Sequence, residues 1–295
     1  MSSDTLHQDN INQILKGISI PPQPQLMVDL QMEQLEPDCS VESIARLIRQ
    51  DIGLSGMILK TINSPFFKRR SKVSSINHAI SLLGIDTVIS IVNSISIRGA
   101  LSNEEITQMT QFWDSSMDIA GACVLIAKHT SLVDPDDAYS LGLFHNCGNI
   151  LMLQRFPQFP KVLVESYKDH PPRVTDVENI HFKTNHAVVG YYVSKAWRLP
   201  KHISNAIAQH HSIENVFGKT STATEEEKNL LVILKLAEHF CGIYRVLGNQ
   251  QEDLEWQKIQ SIVLGHAGVT EFELESMHSQ IEDMGLASSS YIQFP

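Results

Sequence analysis

The sequence predicts an all-α protein, and three observations predict it. Apolar residues recur at three- and four-residue spacing along nearly every segment. Helix-start signals stand where these runs begin, as at Ser40 and at Asp134-Pro135. The one run with strand-like composition, Val88 to Ile97, also places Val88, Ile91, Val92 and Ile95 at helical spacing.

The elements follow in order. Residues 4–17 fit a short amphipathic helix with Leu6, Ile11, Ile14 and Leu15 on one side, closed by Gly17. Ile20-Pro21-Pro22-Gln23-Pro24 cannot be helical and reads as an extended segment. Helical pattern begins at Gln25. A second helix starts at Ser40 as N-cap and carries Ile44, Leu47 and Ile48; a third carries Leu54, Met57, Ile58 and Ile62 and stops at Asn63-Ser64-Pro65. Ser75 opens another, broken near Gly84, and Asp86 begins the Val88–Ile97 helix. The second half starts at Gln111-Phe112-Trp113, where Ile119, Ala120, Cys123, Val124 and Ala127 make a face suited to close packing. Asp134-Pro135-Asp136-Asp137 begins a helix expected to run to Phe156-Pro157. Further helices are expected at 159–168, 174–182, 186–196, 201–211 and 225–247, then two in a polar tail, 254–264 and 272–284, with a frayed end at Ser288–Tyr291. Trp113 and Trp197 read as packing anchors, and Phe66-Phe67 as loop packing beside a basic cluster, Lys68-Arg69-Arg70-Ser71-Lys72.

Composition bounds the function. The chain has 295 residues, 42% hydrophobic and 19% charged, enough for one large or two moderate domains. No apolar run reaches the about 18 residues of a membrane span, and no basic start with an apolar run marks a signal peptide. Cys39, Cys123, Cys147 and Cys241 are far apart, which points to reduced thiols in the cytoplasm. A net charge of −10 argues against a nucleic-acid partner. There is no P-loop, no GxGxxG after a strand, no GxSxG and no EF-hand loop.

The unusual feature is histidine. There are 13, and five fall between His181 and His211. Gly142-Leu143-Phe144-His145-Asn146-Cys147-Gly148-Asn149 puts two glycines around a histidine–amide pair in a helical run. Glycine costs about 1 kcal/mol there relative to alanine, so another part of the chain is expected to approach closely. His186, His210, His211 and the segment Leu236-Ala237-Glu238-His239 stand on neighbouring helical runs. Singly, each histidine reads as a paired core group; together with carboxylates from other helices they could hold divalent metal.

Here the chain resembles the HDOD family, relatives of the HD and HD-GYP metal-dependent phosphohydrolases, over roughly residues 20–247. Ile20-Pro21-Pro22-Gln23-Pro24, Ala45-Arg46-Leu47-Ile48 with Asp51, Asn63-Ser64, and Ser74-Ser75-Ile76 through Ala79-Ile80 to Leu82-Leu83-Gly84 carry it in the first half. Trp113-Asp114-Ser115-Ser116, Gly142 through Gly148, His186 with Gly190, Trp197-Arg198-Leu199-Pro200 and His210-His211 carry it in the second. The resemblance implies an N-terminal helical bundle (20–105) packed on an HD-like helical bundle (106–247), preceded by a helix and linker (1–19) and followed by a helical tail (248–295).

It also implies where the chemistry has changed. The superfamily's metal-bridging His-Asp pair is here His145-Asn146, and an amide brings no negative charge. Its first histidine falls near Ser115, a poor ligand, and its final aspartate aligns with Glu238. His145, His186, His210, His211 and Glu238 are thus the candidate metal ligands, a vestigial set with room for a single divalent cation. No catalytic residue and no cofactor are assigned. The expectation is a non-catalytic bacterial signal-transduction module, a pseudoenzyme acting through protein partners. Its alternatives are a residual phosphohydrolase acting on a nucleotide or cyclic dinucleotide, and a sensor holding a nucleotide-type ligand in the old pocket.

Overall fold

One helix, Glu225–Cys241, is buried on nearly every side, and the other elements are arranged around it. The computed structural model describes residues 18, 25–50, 52–63, 73–98, 103–168, 173–197 and 199–286. The expected helix at 4–17, the proline stretch 20–24, Ser64 with Pro65-Phe66-Phe67, the basic cluster 68–72, the 288–291 end and the Trp113 side chain lie outside the described residues.

The helices are α1 (Gln25–Leu35), α2 (Val41–Ile48), α3 (Ile52–Ile62), α4 (Ile76–Leu83), α5 (Ile85–Arg98), α6 (Asn103–Thr130), α7 (Pro135–Phe144), α8 (Gly148–Arg155), α9 (Phe159–Ser166), α10 (Val174–Phe182), α11 (His186–Ala196), α12 (Lys201–Gln209), α13 (Ile213–Val216), α14 (Glu225–Cys241), α15 (Ile243–Val246), α16 (Leu254–Ala267) and α17 (Glu271–Asp283). No strand occurs among the described residues, so the all-α class holds. No single described helix is long and apolar enough to cross a membrane.

Helices α1 to α5 pack on one another and meet the rest chiefly where α5 lies on α7. That seam is polar at its edge: the Ser90 and Ser140 hydroxyls are 2.6 Å apart, and Thr87 donates to Asp136 at 2.6 Å. Local chemistry sets the starts. Ser40 Oγ accepts the Ser43 N–H at 3.1 Å while Ser43 Oγ accepts the Ser40 N–H at 3.0 Å, which caps α2 from both sides. Asn63 ends α3 and ties the returning chain, donating to the Val73 carbonyl and accepting its N–H, both at 2.8 Å. The run with strand-like composition is helical in α5, and its Val88, Ile91 and Val92 are core residues.

Helix α14 packs against α6, α7, α12 and α16. Thr224 and Glu227 form its capping box, and Trp197 is buried as expected.

The helix pattern departs most from expectation at four places. The expected helix from 135 to 156 is two, because the chain breaks at His145–Cys147, where the His145 ring bonds back to the Gly142 carbonyl. The expected helix from 225 to 247 is also two, because Gly242 adopts φ 67°, a left-handed conformation open to glycine at little cost. Helix α6 begins at Asn103 rather than near Gln111 and runs unbroken past residue 105. A short helix, α13, follows the paired histidines.

Candidate functional site

The break between α7 and α8 is held by two close approaches, and glycine is required at both. A Cβ at Gly142 would lie 2.7 Å from the Ala120 Cα on α6. A Cβ at Gly148 would overlap the His186 carbonyl oxygen on α11. These contacts press His145-Asn146 between α6 and α11, the close approach the glycines predicted.

His145 is fully buried. Its Nδ1 lies 2.7 Å from the Gly142 carbonyl, which can only accept, so the ring proton sits on Nδ1. Its Nε2 then accepts from the Asn146 amide at 2.8 Å and lies 3.4 Å from Glu238 Oε1. Burial, with the nearby charges of Lys235 and His186, pulls its pKa down to about 3, so the ring is neutral. Asn146 Oδ1 and both side-chain polar atoms of Asn149 are buried without a hydrogen-bond partner.

The other histidines converge beside it. Asn185 caps α11 by accepting the Val188 N–H at 2.9 Å, which sets His186 at the first helical position. Glu178 on α10 then takes the His186 backbone N–H at 2.8 Å and its Nδ1 at 2.8 and 2.9 Å. His210 gives its Nδ1 proton to the Ile207 carbonyl at 2.7 Å. The Nε2 atoms of His186 and His210 face each other at 3.2 Å. With both Nδ1 atoms protonated these are two lone pairs, which repel unless a proton or a metal cation lies between them. His211 bonds through Nδ1 to Glu255 on α16 at 2.9 Å, and its buried Nε2 has no partner. One ring nitrogen from each of His186, His210 and His211 lies within 4.8 Å of the other two. Burial, with the charges around them, holds His210 and His211 well below the ordinary imidazole range.

A cation of the protein's own stands next to this cluster. Lys235 on α14 is buried, with Nζ 2.7 Å from Glu238 Oε2 and 3.1 Å from Glu255 Oε1. Burial alone would favour its neutral form, but the two carboxylates outweigh that and raise its pKa, so it stays charged. Burial pushes the Glu238 carboxyl up against the pull of Lys235.

The predicted ligands therefore divide. His186, His210 and His211 fit one cation through Nε2 lone pairs, each ring held from behind by an acceptor. His145 lies at the edge of the cluster, with Nε2 engaged by Asn146, and Glu238 is engaged by Lys235. His239 points elsewhere, stacked on Trp256 at 4.4 Å and bonded to Asp253 at 2.9 Å. Ser115 is buried on α6 and supplies no imidazole. This donor set offers, among the described residues, no free carboxylate that would bridge to a second metal. Three residues escaped the sequence reading: Glu178, Lys235 and Glu255. Of these, Lys235 alone left a signal, a lysine inside the apolar run Leu230–Ala237.

Beside the cluster lies a cavity of about 310 Å³, lined among others by Tyr167, Arg173, His211, Ser212, Tyr244 and Glu255. All four cysteines are free, and burial raises the thiols of Cys123, Cys147 and Cys241 far from reactivity.

Comparison with known proteins adds the family. A sequence model of the HDOD domain matches residues 20–213. An uncharacterized protein of Treponema pallidum is 26% identical over 223 residues, 74% of this chain and 41% of that protein. The cyclic di-GMP phosphodiesterase CdgJ of Vibrio cholerae is 26% identical over 133 residues, 45% of this chain and 30% of CdgJ. The chain thus spans less than half the length of these curated relatives. Among solved structures, an HDOD domain protein of unknown function from Geobacter sulfurreducens superposes with a TM-score of 0.66 at 22% identity, covering 95% of this chain and 93% of that one. A candidate metal-dependent phosphohydrolase from Shewanella amazonensis gives 0.65 at 18% identity, covering 95% and 98%. At such identities the likeness is one of fold.

Proposed function

This chain belongs to the HDOD domain family, and from that premise we propose that it is a non-catalytic signal-transduction module, working in the cytoplasm through protein partners, in which a two-metal hydrolytic centre has been reduced to a single cation position. The observation that carries this reading is the Lys235 ammonium held between Glu238 and Glu255. A two-metal site needs bridging anions to offset the repulsion of ions about 3.5–4 Å apart. Asn146 is neutral, and Glu238 already faces a cation. Two unit charges about 4 Å apart repel by about 4 kcal/mol at an effective dielectric near 20, and a divalent ion doubles that. Lys235 thus supplies the positive charge that a second metal would otherwise bring.

His186, His210 and His211 would hold the single cation. A bound divalent ion could polarise a water or a phosphoryl oxygen. The chain's own residues do the rest: Glu178 and the Ile207 carbonyl accept at Nδ1 of His186 and His210 and so orient the two rings, and buried helices exclude water around them.

The test is direct. Purified protein is supplied with manganese, magnesium or iron and assayed with bis(p-nitrophenyl) phosphate and with cyclic di-GMP. No turnover above the metal–buffer blank is expected. Metal-dependent turnover that disappears in His145→Ala would establish the second reading, a residual phosphohydrolase, which the converging imidazoles favour.

A further inference from the structure

We infer that Glu255, on a helix beyond the matched domain, is a positioning residue of the histidine centre, and that the C-terminal segment therefore completes a nitrogen-rich site for one borderline divalent cation such as cobalt, nickel or zinc. The inference rests on the single-cation reading above.

The geometry points to Glu255 because of how each ring is held. His145 and His210 each bond back to a carbonyl three residues earlier in their own turn, Gly142 and Ile207. His186 uses Glu178, eight residues earlier. His211 has no such local acceptor; its Nδ1 partner is Glu255, 44 residues later. A neutral imidazole can place its proton on either nitrogen, and only the Nδ1–H form leaves Nε2 free to bind metal. Glu255 selects that form and leaves the buried Nε2 of His211 unpartnered, in a ring that has a nitrogen within 4.8 Å of His186 and His210.

Glu255 is itself well held. It stands in the first turn of α16, whose start is capped by Asp253 accepting the Trp256 N–H at 2.9 Å. Trp256, Ile259 and Val263 bury the helix against α14 and α13. The same carboxylate accepts from Lys235, so one tail residue touches both the imidazole cluster and the lysine beside it. The 310 Å³ cavity is lined by Glu255 and His211 and so borders the outer side of the cluster.

Three imidazoles with no free carboxylate suit borderline metals and suit magnesium or calcium poorly. Removing the outer carboxylate from such a triad typically weakens binding 10–100-fold.

The experiment uses the full chain. Cobalt(II) is titrated and followed by its d–d absorption, and His211 is read in the metal-free protein by long-range ¹H–¹⁵N correlation. Glu255→Ala is expected to weaken cobalt binding about 10–100-fold and to abolish the defined Nδ1–H form of His211 with unchanged helical circular dichroism. Glu255→Gln keeps an acceptor and is expected to recover part of both. Unchanged affinity and an unchanged His211 tautomer in Glu255→Ala would overturn the inference. If the native protein binds no cobalt, the single-cation reading fails, while the tautomer comparison still decides whether Glu255 positions His211. Should Glu255→Ala not fold, the Gln variant decides: a His211 signal and cobalt affinity insensitive to loss of the charge would count against a role for the carboxylate.

Discussion

Lys235 and Glu238 stand one turn apart on α14, their charged atoms 2.7 Å apart and almost out of contact with water. A buried pair of this kind is not itself strong evidence of stability, because desolvation offsets much of the attraction. Breaking it is another matter. Lys235→Met leaves Glu238 buried beside Glu255 with no cation, and a loss of about 3–5 kcal/mol is expected. Urea denaturation checks it. A loss below about 1 kcal/mol would contradict this and mean that Glu238 takes up a proton at little cost once the cation is gone. Lys235→Met with Glu238→Gln should recover part of the stability.

Gly148 is where α8 meets α11, and a methyl group there would overlap the His186 carbonyl. Gly148→Ala should cost at least the 1–3 kcal/mol typical of an overpacked core, about, and should shift His186 away from His210. Thermal unfolding and the imidazole signals of His186 and His210 report the two effects separately. A variant with native stability and unshifted histidine signals would contradict the contact.

Much of the fold was legible because it follows from local patterns. The periodic runs, the Ser40 cap and the Asp134-Pro135 start all act within a turn or two of chain, and the glycines around His145 are legible because their cost in a helix calls for a close approach. What was not legible depends on distance or on a contest between local signals. The apolar periodicity from Ala138 to Leu153 continues through His145, so nothing local announced that the ring would bond back to Gly142 and end the helix. Glu178 and Glu255 look like ordinary surface carboxylates in sequence, and only packing brings them behind His186 and His211. His239, next to Glu238, stands outside the cluster because adjacent residues point about 100° apart around a helix, and it faces Trp256 instead.

Arg173 and Asp176 give a pH dependence with a defined sign. The Arg173 guanidinium, bonded to Asp176 at 2.9 and 3.0 Å, holds that carboxyl below its ordinary range. The folded pKa is therefore lower than the unfolded one. The contribution is fully present above the unfolded value, roughly 3.9, and is lost as pH falls through the folded value. Because the pair is partly exposed, it is expected to be worth less than about 1 kcal/mol. The stability difference between the native protein and Asp176→Asn should shrink as pH is lowered below about 4. Denaturant titrations across that range measure it, and a difference that grows toward acid would reverse the assigned sign.

Glu178 offers a second test of the cation site, independent of the C-terminal segment. It accepts both the backbone and the ring of His186, and its side chain is fully buried. Replacing it with glutamine keeps the shape and one acceptor but removes the charge that favours the Nδ1–H form and a basic Nε2. Added zinc or cobalt should raise the melting temperature of the native protein, since a ligand at 100 times its Kd contributes about 2.7 kcal/mol to the folded state. Glu178→Gln should require about 10–100-fold more metal for the same shift, and His186→Ala should abolish it. Chelation should return the native protein to the melting temperature of the metal-free form. If instead His186→Ala responds to metal as the native protein does, the cation sits elsewhere, and the half-exposed group Asp137, His202 and Glu226 is the next place to look, its nitrogen and oxygen atoms also lying within 4.8 Å of one another.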